Sequence, residues 1–150
     1  MSGDCKIFPI FAVIAISTEM TDNNTSERKP LILIAEDVES NYKLLEIILK
    51  KEYNLLWAKN GKEAVEYALA EHPDAVLMDV RMPVMGGLEA TRQIRKISPD
   101  VPIIAMSAYS YGNEPELARE AGCNDFLTKP LSQYSLNKIL NAALVDLKRK

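Results

Sequence analysis

Reactive side chains follow four short apolar segments of this chain. Glu36 and Asp37 come directly after LILIA, and Asp79 comes directly after AVLM. Ser107 follows PIIAM, and Lys129 follows the short segment DFLT. Because the carboxyl ends of parallel strands meet at one edge of a sheet, these carboxylates, the hydroxyl and the ammonium would converge there if the segments are parallel strands.

The chemistry open to this set is phosphoryl transfer. Carboxylates that lie close together repel one another, so they hold protons or bind a cation. Oxygen ligands without His or Cys select Mg²⁺ or Mn²⁺ over zinc. A carboxylate can accept a phosphoryl group as an acyl phosphate, and a lysine and a serine hydroxyl can bind the phosphoryl oxygens. The set therefore predicts phosphoryl transfer onto Asp79, assisted by a metal ion and by Lys129.

Each of these residues by itself also has an ordinary structural interpretation. An acidic pair such as Glu36 and Asp37 suits the positive end of a following helix. An aspartate before a turn, such as Asp79, is commonly a turn residue. Ser107 alone would be structural, and Lys129 alone would be a loop residue. Their placement at the ends of different strands favours a common site over these separate interpretations.

The segments that must position these residues alternate between strand and helix. Strands are predicted where apolar residues run continuously, and helices where they recur at helical spacing, with Ser40 as the candidate N-cap of the first helix. Strands that are apolar without alternation are buried on both faces, which predicts an α/β fold with a doubly wound five-stranded parallel sheet and helices on both faces. The predicted strands are 31–35, 54–58, 75–78, 102–106 and 125–127, and the predicted helices are 40–51, 61–71, 87–97, 114–121 and 132–147.

Length and composition indicate one domain with an N-terminal extension. The chain has 150 residues, 47% hydrophobic and 26% charged, as in ordinary globular proteins. Residues 17–29 are polar without an apolar period, so residues 1–29 are interpreted as a linker or a disordered tail, and residues 30–150 as the domain. The apolar segment Ile7–Ile16 is too short to span a membrane. It fits the core of a signal peptide, but a β-strand, a tail of non-native origin and the remnant of a preceding domain stay open.

Charge and cysteine content argue against several function classes. The formal net charge of −3 disfavours nucleic acid or an anionic membrane as a direct partner. Cys5 and Cys123 are far apart, and neither has a neighbouring Cys or His, so neither a zinc site nor a disulfide framework is supported. Sparse cysteine is typical of a reducing compartment, so a cytoplasmic location is expected.

Residues 30–150 resemble the receiver domains of two-component response regulators. The motifs LILIAED, AVLMDVRMPVMGG, PIIAMSA and DFLTKP occur in the order and spacing of that family. The resemblance implies a flavodoxin-like sheet in the strand order 2-1-3-4-5. It also implies a signalling domain rather than an enzyme: Asp79 would accept a phosphoryl group from a histidine kinase or a histidine phosphotransfer domain, and autodephosphorylation would later remove it.

The resemblance also implies a Mg²⁺ site, in which Mn²⁺ could substitute. The ligands would be Asp37 and Asp79, Glu36 either directly or through water, and the backbone carbonyl of Arg81.

Further roles follow from the same resemblance. Ser107 and Lys129 would contact the phosphoryl oxygens. Phe126 matches the aromatic switch position, which turns inward when Ser107 moves toward the phosphoryl group. Arg81 and Tyr109 would line the approach to Asp79, and we expect them to shield the acyl phosphate from water.

Proline and glycine shape the loops at this edge of the sheet. Pro83 has a fixed φ that helps to hold the loop after Asp79. The pair Gly86 and Gly87 permits either a positive φ or a close approach of backbones. Pro130 lies where the family commonly has a cis peptide bond.

Three other functions fit the residues less well. An aspartate-nucleophile phosphohydrolase needs a second aspartate two residues after Asp79, where this chain has Arg81. A pseudo-receiver that only binds would be expected to lack Asp37, Asp79 or Lys129, and all of them are present. A flavin-binding module needs a phosphate loop rich in Ser, Thr or Gly after the first strand, where this chain has Glu36 and Asp37.

The residues within these motifs are typical of receiver domains from hybrid histidine kinases. We therefore expect a hybrid-kinase origin, with residues 17–29 as the linker and the domain in the cytoplasmic part of a membrane-bound protein. A stand-alone response regulator is the alternative. In either case the face formed by strand 4, helix 4 and strand 5 would change on phosphorylation and bind a partner, or a second copy in a phosphorylation-dependent homodimer.

Overall fold

The computed structural model describes residues 28–109 and 112–145. Strands and helices alternate along these residues, as predicted. The strands are β1 (Leu31–Ala35), β2 (Asn54–Ala58), β3 (Ala75–Asp79), β4 (Ile103–Ser107) and β5 (Asp125–Thr128). The helices are α1 (Glu39–Leu49), α2 (Gly61–Glu71), α3 (Gly87–Ile97), α4 (Glu114–Ala121) and α5 (Gln133–Ala143).

The strands form one parallel sheet in the order β2-β1-β3-β4-β5, which confirms the predicted order 2-1-3-4-5. The chain first adds β2 on one side of β1 and then adds the other strands on the opposite side. The order therefore reverses between β1 and β3. In doubly wound folds, a crevice for ligands opens at this point, beyond the carboxyl ends of the strands.

Each face of the sheet has its own hydrophobic core. Ile32 and Ile34 of β1 pack with residues of α1 and α5, whereas Leu33 and Ala35 pack with residues of α2, α3 and α4. All four side chains are fully buried. This double burial explains why the strand sequences are apolar without alternation.

The prediction that Ser40 caps α1 is wrong. The helix begins at Glu39, its N-cap is Val38, and Ser40 lies within the first turn. The carboxylate of Glu36 accepts a hydrogen bond from the amide of Val38 at 3.2 Å, which stabilises the turn that leads into the helix. The chain therefore enters α1 earlier than the serine indicates.

Other element ends differ from the predictions by a few residues. Asp79 and Ser107 are the last residues of β3 and β4 rather than the first residues after them. Ser132 is the N-cap of α5, since its hydroxyl accepts a hydrogen bond from the amide of Ser135 at 3.1 Å. These shifts leave both candidate site residues at the carboxyl edge of the sheet.

Several predictions fall on parts of the chain that the structure does not describe. These are the tail over residues 1–27 and the end of the last helix at Leu147. Among the helices that the structure does describe, none has both the length and the apolar content that a membrane span requires.

Candidate functional site

Three carboxylates meet at the carboxyl ends of β1 and β3. Asp79 ends β3, and Glu36 and Asp37 follow β1, its neighbour in the sheet. One carboxylate oxygen from each residue lies within 4.8 Å of the other two. Glu36 and Asp79 are buried, whereas Asp37 is exposed. The structure thus brings the predicted carboxylates together in a cluster that is open to solvent on one side.

Lys129 supplies a positive charge to this carboxylate cluster. Its Nζ donates hydrogen bonds to Oε1 of Glu36 at 2.8 Å and to Oδ2 of Asp79 at 3.1 Å. Its backbone amide donates to the carbonyl of Ser107 at 2.7 Å, which holds the end of β5 beside β4. The Lys129–Pro130 peptide bond is cis, the isomer that is common at this position in the family that the sequence resembles.

The electrostatics of the cluster raise the pKa of Asp79. Burial raises the pKa of this carboxyl and the negative charge of Glu36 raises it further, while Lys129 lowers it, so that the pKa is about 6 against an ordinary 3.8. Burial lowers the pKa of Lys129, but its hydrogen bond to Glu36 and the negative charges of Asp79 and Glu36 outweigh that effect and raise the pKa above its ordinary value. Without a metal ion, Asp79 is therefore ionised at neutral pH but gains a proton readily in mild acid.

These residues fit a magnesium ion. The donor atoms of the cluster are all carboxylate oxygens, which are the hard ligands that Mg²⁺ prefers. The exposed position of Asp37 leaves that side open to the water molecules that Mg²⁺ usually keeps. A divalent cation would also relieve the repulsion between Glu36 and Asp79 that raises the pKa of Asp79.

The hydroxyl of Ser107 is bonded to a carboxylate outside this cluster. Ser107 is buried, and its hydroxyl donates a hydrogen bond to Oε1 of Glu114, the first residue of α4. The oxygen of the same hydroxyl accepts a hydrogen bond from the amide of Tyr109 at 3.0 Å. Ser107 therefore lies at the predicted edge of the sheet, but its proton is directed at Glu114 and not at Asp79.

Arg81 and Tyr109, which were predicted to line the approach to Asp79, contact each other. The guanidinium of Arg81 lies over the ring of Tyr109, 4.6 Å from its centroid, and Nη2 donates to Oε2 of Glu114 at 3.1 Å. The backbone amide of Arg81 donates to Oδ1 of Asp79 at 3.4 Å. These contacts connect the loop after β3 with the start of α4. The metal-binding role of the Arg81 carbonyl stays a prediction.

Phe126 lies in β5, in the core beneath α4. Its backbone pairs with Ala105 of β4, and its half-buried ring packs with the core on the α2, α3 and α4 face. It borders a small cavity of about 80 Å³ that Ala118 and Cys123 also line. The movement of this ring on phosphorylation stays a prediction.

Backbone geometry shapes the loop between β3 and α3. A Cβ on Gly87 would lie 2.0 Å from the backbone oxygen of Asp79, so close approach, and not a positive φ, requires glycine at this position. Gly86 has a φ of −73°, which other residues adopt freely. The residue with a positive φ in this loop is Val84, at 70°, a conformation that β-branched residues rarely adopt.

Trp57 of β2 anchors the turn that carries the acidic pair. Its indole Nε1 donates a hydrogen bond to the backbone carbonyl of Glu36 at 2.8 Å. The indole ring stacks on Tyr42 of α1, with ring centroids 4.4 Å apart and planes 4° from parallel. The amide of Glu36 donates to the carbonyl of Ala58 at 3.0 Å. Hydrogen bonds from β2 therefore fix both the backbone amide and the backbone carbonyl of Glu36.

Sequence reasoning missed two of these contacts. An acidic residue in the first turn of a helix is typical of an exposed helix end, so nothing in the sequence indicates that Glu114 points inward toward Ser107. A tryptophan near the end of a predicted strand, such as Trp57, is typical of a packing residue. Its hydrogen bond depends on the register that pairs Trp57 with Ile34, two residues before Glu36, and a strand sequence does not specify that register.

The sequence is similar to receiver domains that occur in proteins of very different lengths. The family profile described as response regulator receiver domain matches residues 32–141. PilH from Pseudomonas aeruginosa is 36% identical over 116 residues, which cover 75% of this chain and 96% of PilH. Hybrid signal transduction histidine kinase I from Dictyostelium discoideum is 34% identical over 123 residues, covering 75% of this chain but 7% of that kinase. The sensor kinase/phosphatase LuxN of Vibrio harveyi is 36% identical, covering 77% of this chain and 14% of LuxN.

Solved structures of receiver domains share the fold. The receiver domain of the sensor histidine kinase PA1611 from Pseudomonas aeruginosa has a TM-score of 0.74 and 36% identity, covers 78% of this chain and 98% of that chain, and has a magnesium ion coordinated in its active site cleft. A co-crystal of the Saccharomyces cerevisiae histidine phosphotransfer protein Ypd1 and the receiver domain of Ssk1 matches with a TM-score of 0.71 and 32% identity, over 75% of this chain and 87% of that chain.

The profile match, the sheet order and the residues at the carboxyl edge of the sheet all agree. The carboxylates and Lys129 lie at the point where the strand order reverses, and the matched region contains every one of them. This chain belongs to the response regulator receiver domain family, the signalling domains of two-component systems.

Proposed function

We propose that this chain is a phosphoacceptor in which Asp79 takes a phosphoryl group from the phosphohistidine of a histidine kinase or a histidine phosphotransfer domain. The observation that carries the proposal is the position of Asp79 within the carboxylate cluster, with Nζ of Lys129 3.1 Å from its Oδ2. This arrangement supplies a nucleophile, oxygen ligands for a metal ion and a cation at one edge of the sheet.

In the transfer step, a carboxylate oxygen of Asp79 attacks the phosphorus atom. The P–N bond of the phosphohistidine breaks, and its electron pair stays on the imidazole nitrogen. A pKa of about 6 leaves Asp79 ionised, and therefore nucleophilic, at neutral pH. Lys129 would bind a phosphoryl oxygen and offset its charge. A bound Mg²⁺ would supply electrostatic stabilisation of the charge on the phosphoryl oxygens, and Mn²⁺ shares its preference for oxygen ligands.

The four predicted ligand groups would hold the metal ion: the carboxylates of Asp37 and Asp79, the carboxylate of Glu36 either directly or through water, and the backbone carbonyl of Arg81. The carboxylate oxygens already lie within 4.8 Å of one another, which supports a shared ion. The magnesium in the active site cleft of the PA1611 receiver domain also supports it.

The signal would leave through the face of β4, α4 and β5. Ser107 would turn its hydroxyl to a phosphoryl oxygen, and Phe126 would move inward in response. Both residues lie on these strands, and Glu114 already connects Ser107 to the start of α4. A partner, or a second copy of this chain in a homodimer, would bind the changed face.

The phosphodonor would dock on α1. Leu44 and Ile47 of this helix are 51% and 68% exposed, and Val38 just before it is 44% exposed, so apolar side chains face solvent here as well as the core. Beside them a groove of about 310 Å³ runs past Lys129 to Leu131, and its lining is mainly apolar. A helical phosphotransfer domain that packs here would bring its phosphohistidine to Asp79. The co-crystal of Ypd1 with the Ssk1 receiver supports this class of partner.

We infer that residues 30–150 form the receiver of a hybrid histidine kinase, with residues 1–29 as the preceding linker, in the cytoplasmic part of a membrane-bound protein. Kinases among its relatives support this origin. The alternative is a stand-alone response regulator in the cytoplasm, which PilH supports, since the match covers nearly all of PilH. The reading frame upstream of Met1 decides between them, because a hybrid kinase requires kinase motifs there.

The proposed function is tested by phosphorylation with a small donor. The protein is incubated with Mg²⁺ and acetyl phosphate, and separately with beryllofluoride, and intact mass and NMR spectra are recorded. We expect a mass increase of one phosphoryl group with acetyl phosphate and shifted amide signals around Asp79 with beryllofluoride. Asp79→Asn and omission of Mg²⁺ should each abolish the response, whereas Asp100→Asn, at an exposed position before β4, should not. A wild type that responds to neither reagent would contradict the proposal.

A further inference from the structure

Glu114 is a buried carboxylate that the proposed phosphoryl transfer does not use. It is the first residue of α4, and its side chain is 11% exposed. Oε1 accepts a hydrogen bond from the hydroxyl of Ser107, and Oε2 accepts one from Nη2 of Arg81 at 3.1 Å. One carboxylate therefore connects two residues that flank Asp79.

The hydroxyl of Ser107 has only one proton to donate. In this structure that proton is given to Glu114, while the hydroxyl oxygen accepts from the amide of Tyr109. A phosphoryl oxygen on Asp79 is also a hydrogen-bond acceptor, so Ser107 cannot donate to it and to Glu114 at the same time. The two acceptors compete for one proton.

Two features make Glu114 a strong competitor. A hydrogen bond to a carboxylate is stronger than one between neutral groups. Arg81 also donates a hydrogen bond to the other oxygen of Glu114, which fixes the position of the carboxylate, and the guanidinium is itself held over the ring of Tyr109. Glu114 is thus kept in place by a second contact that does not depend on Ser107.

We propose that Glu114 is a positioning residue that holds the Ser107 hydroxyl in the unphosphorylated protein. The hydrogen bond between Ser107 and Glu114 then has to break before Ser107 can donate to a phosphoryl group on Asp79. This inference rests on the proposed function, since it takes that phosphoryl group as the competing acceptor. Because Glu114 begins α4, breaking this hydrogen bond releases the start of α4 from the end of β4. The contact would therefore oppose the switch and also connect it to α4.

The competition is tested by measuring how tightly the protein binds beryllofluoride, a phosphoryl mimic, in the presence of Mg²⁺. NMR titrations compare the wild type with Glu114→Ala, Glu114→Gln and Glu116→Ala. Glu116 is an exposed glutamate in the same turn of α4 and provides the matched control. The Glu114 substitutions are repeated in a Ser107→Ala background, and the affinity of each variant for Mg²⁺ alone is measured separately.

We expect Glu114→Ala to bind beryllofluoride about three- to tenfold more tightly than the wild type, because Ser107 no longer has to leave a carboxylate. Glu114→Gln keeps an amide oxygen as an acceptor, so its affinity for beryllofluoride should lie between those of the wild type and Glu114→Ala. Glu116→Ala should match the wild type, and the affinity for Mg²⁺ alone should not change. In the Ser107→Ala background, substitution of Glu114 should have no effect.

The outcomes separate this inference from the proposed function. A wild type that binds beryllofluoride no less tightly than Glu114→Ala overturns the role of Glu114 and leaves the proposed function standing. An effect of Glu114→Ala that persists in the Ser107→Ala background does the same, because it does not act through Ser107. A wild type that does not bind beryllofluoride overturns both. If Glu114→Ala does not fold, the affinity of Glu114→Gln for beryllofluoride decides whether the inference holds. It is compared with the wild type and, in the Ser107→Ala background, with Ser107→Ala alone.

Discussion

At the scale of single residues, the charge of Asp79 sets how the metal-free protein responds to pH. Its pKa of about 6 lies above its ordinary 3.8, because of burial and the charge of Glu36. Between these two values the folded protein binds more protons at this position than the unfolded chain does. Protonation of Asp79 therefore stabilises the fold below pH 4, and this contribution is lost as the pH rises through about 6.

We expect Asp79→Asn to stabilise the metal-free protein at pH 7.5 by roughly 2 kcal/mol, since the shift of about two pKa units disappears with the charge. At pH 4.5 the effect should be much smaller, because the wild-type side chain is then largely protonated when folded. Urea unfolding in EDTA at both pH values measures the difference. Asp100→Asn, an exposed position, is the control. An equal effect of Asp79→Asn at both pH values would contradict the argument.

The contact between Arg81 and Tyr109 should set the lifetime of the acyl phosphate. The guanidinium of Arg81 lies 4.6 Å from the ring centroid of Tyr109, and Arg81 lies two residues after Asp79, so we expect the pair to restrict the access of water to the acyl phosphate. We expect Arg81→Ala and Tyr109→Ala each to raise the rate of autodephosphorylation several-fold, measured by intact mass after removal of acetyl phosphate. Arg92→Ala, on the exposed side of α3, should leave the rate unchanged. Unchanged rates in both site variants would rule out shielding by this pair.

The sequence predicts which residues reach the edge of the sheet, but not all of their partners. Asp79 ends a buried strand and Lys129 follows a shorter, partly exposed one. Because the carboxyl ends of parallel strands meet at one edge of the sheet, the strand pattern alone places the two residues together. The hydrogen bond of Ser107 to Glu114 depends on where the start of α4 lies relative to the end of β4, and the sequence does not specify that placement. For this reason the position of Ser107 could be predicted and the direction of its hydroxyl could not.

At the scale of elements, the junction of β3 and α3 depends on one of two adjacent glycines. A Cβ on Gly87 would lie 2.0 Å from the backbone oxygen of Asp79, whereas one on Gly86 would lie 3.3 Å from that of Val80. We expect Gly87→Ala to lower the free energy of unfolding by about 3 kcal/mol, and Gly86→Ala by less than about 1 kcal/mol. Chemical denaturation compares the two variants. Equal losses would show that the close approach at Gly87 does not decide stability.

The same loop contains a strained residue. Val84 has a φ of 70° and is 79% exposed, so it adopts a left-handed conformation without the benefit of burial. Asn tolerates this conformation better than a β-branched residue does, so we expect Val84→Asn to stabilise the protein by roughly 1 kcal/mol. Val84→Ile keeps the β-branch and should give no gain. Thermal unfolding of the two variants checks the prediction, and an equal response would argue against strain at this position.

Periodicity predicted the elements better than it predicted their ends and faces. Continuous apolar runs marked the central strands β1, β3 and β4, because these strands are buried on both sides, whereas the edge strand β5 is short, partly exposed and contains polar residues. The start of α1 was missed, because Glu36 and not Ser40 stabilises the turn before it. The apolar spacing of α1 also gave no indication that Leu44 and Ile47 face solvent while Leu45 is buried. Which apolar residues of a helix face the core depends on how the helix sits on the sheet.

At the scale of the whole molecule, the exposed apolar side of α1 is expected to select the phosphodonor. We expect Ile47→Glu to slow transfer from a phosphorylated histidine phosphotransfer protein about tenfold, since a charge in the centre of an apolar contact weakens binding. Phosphorylation by acetyl phosphate should be unaffected, because a small donor needs no docking surface.

Leu69 of α2 provides the control for this prediction. It is also an exposed apolar residue, at 45%, but lies on a helix that packs on the other face of the sheet. Leu69→Glu should leave both reactions unchanged. If Leu69→Glu and Ile47→Glu slow the protein-dependent transfer equally, docking on α1 is contradicted.

The stacked position of Trp57 makes it a natural optical reporter. It is the only tryptophan of the chain. Its indole donates a hydrogen bond to the carbonyl of Glu36 and stacks on Tyr42 of α1, so it touches both a predicted metal ligand and the helix proposed to dock the phosphodonor. Changes in metal occupancy and in partner contact would therefore alter the emission of a single chromophore. We therefore expect that metal binding and partner binding can be followed by the fluorescence of the unlabelled wild-type protein.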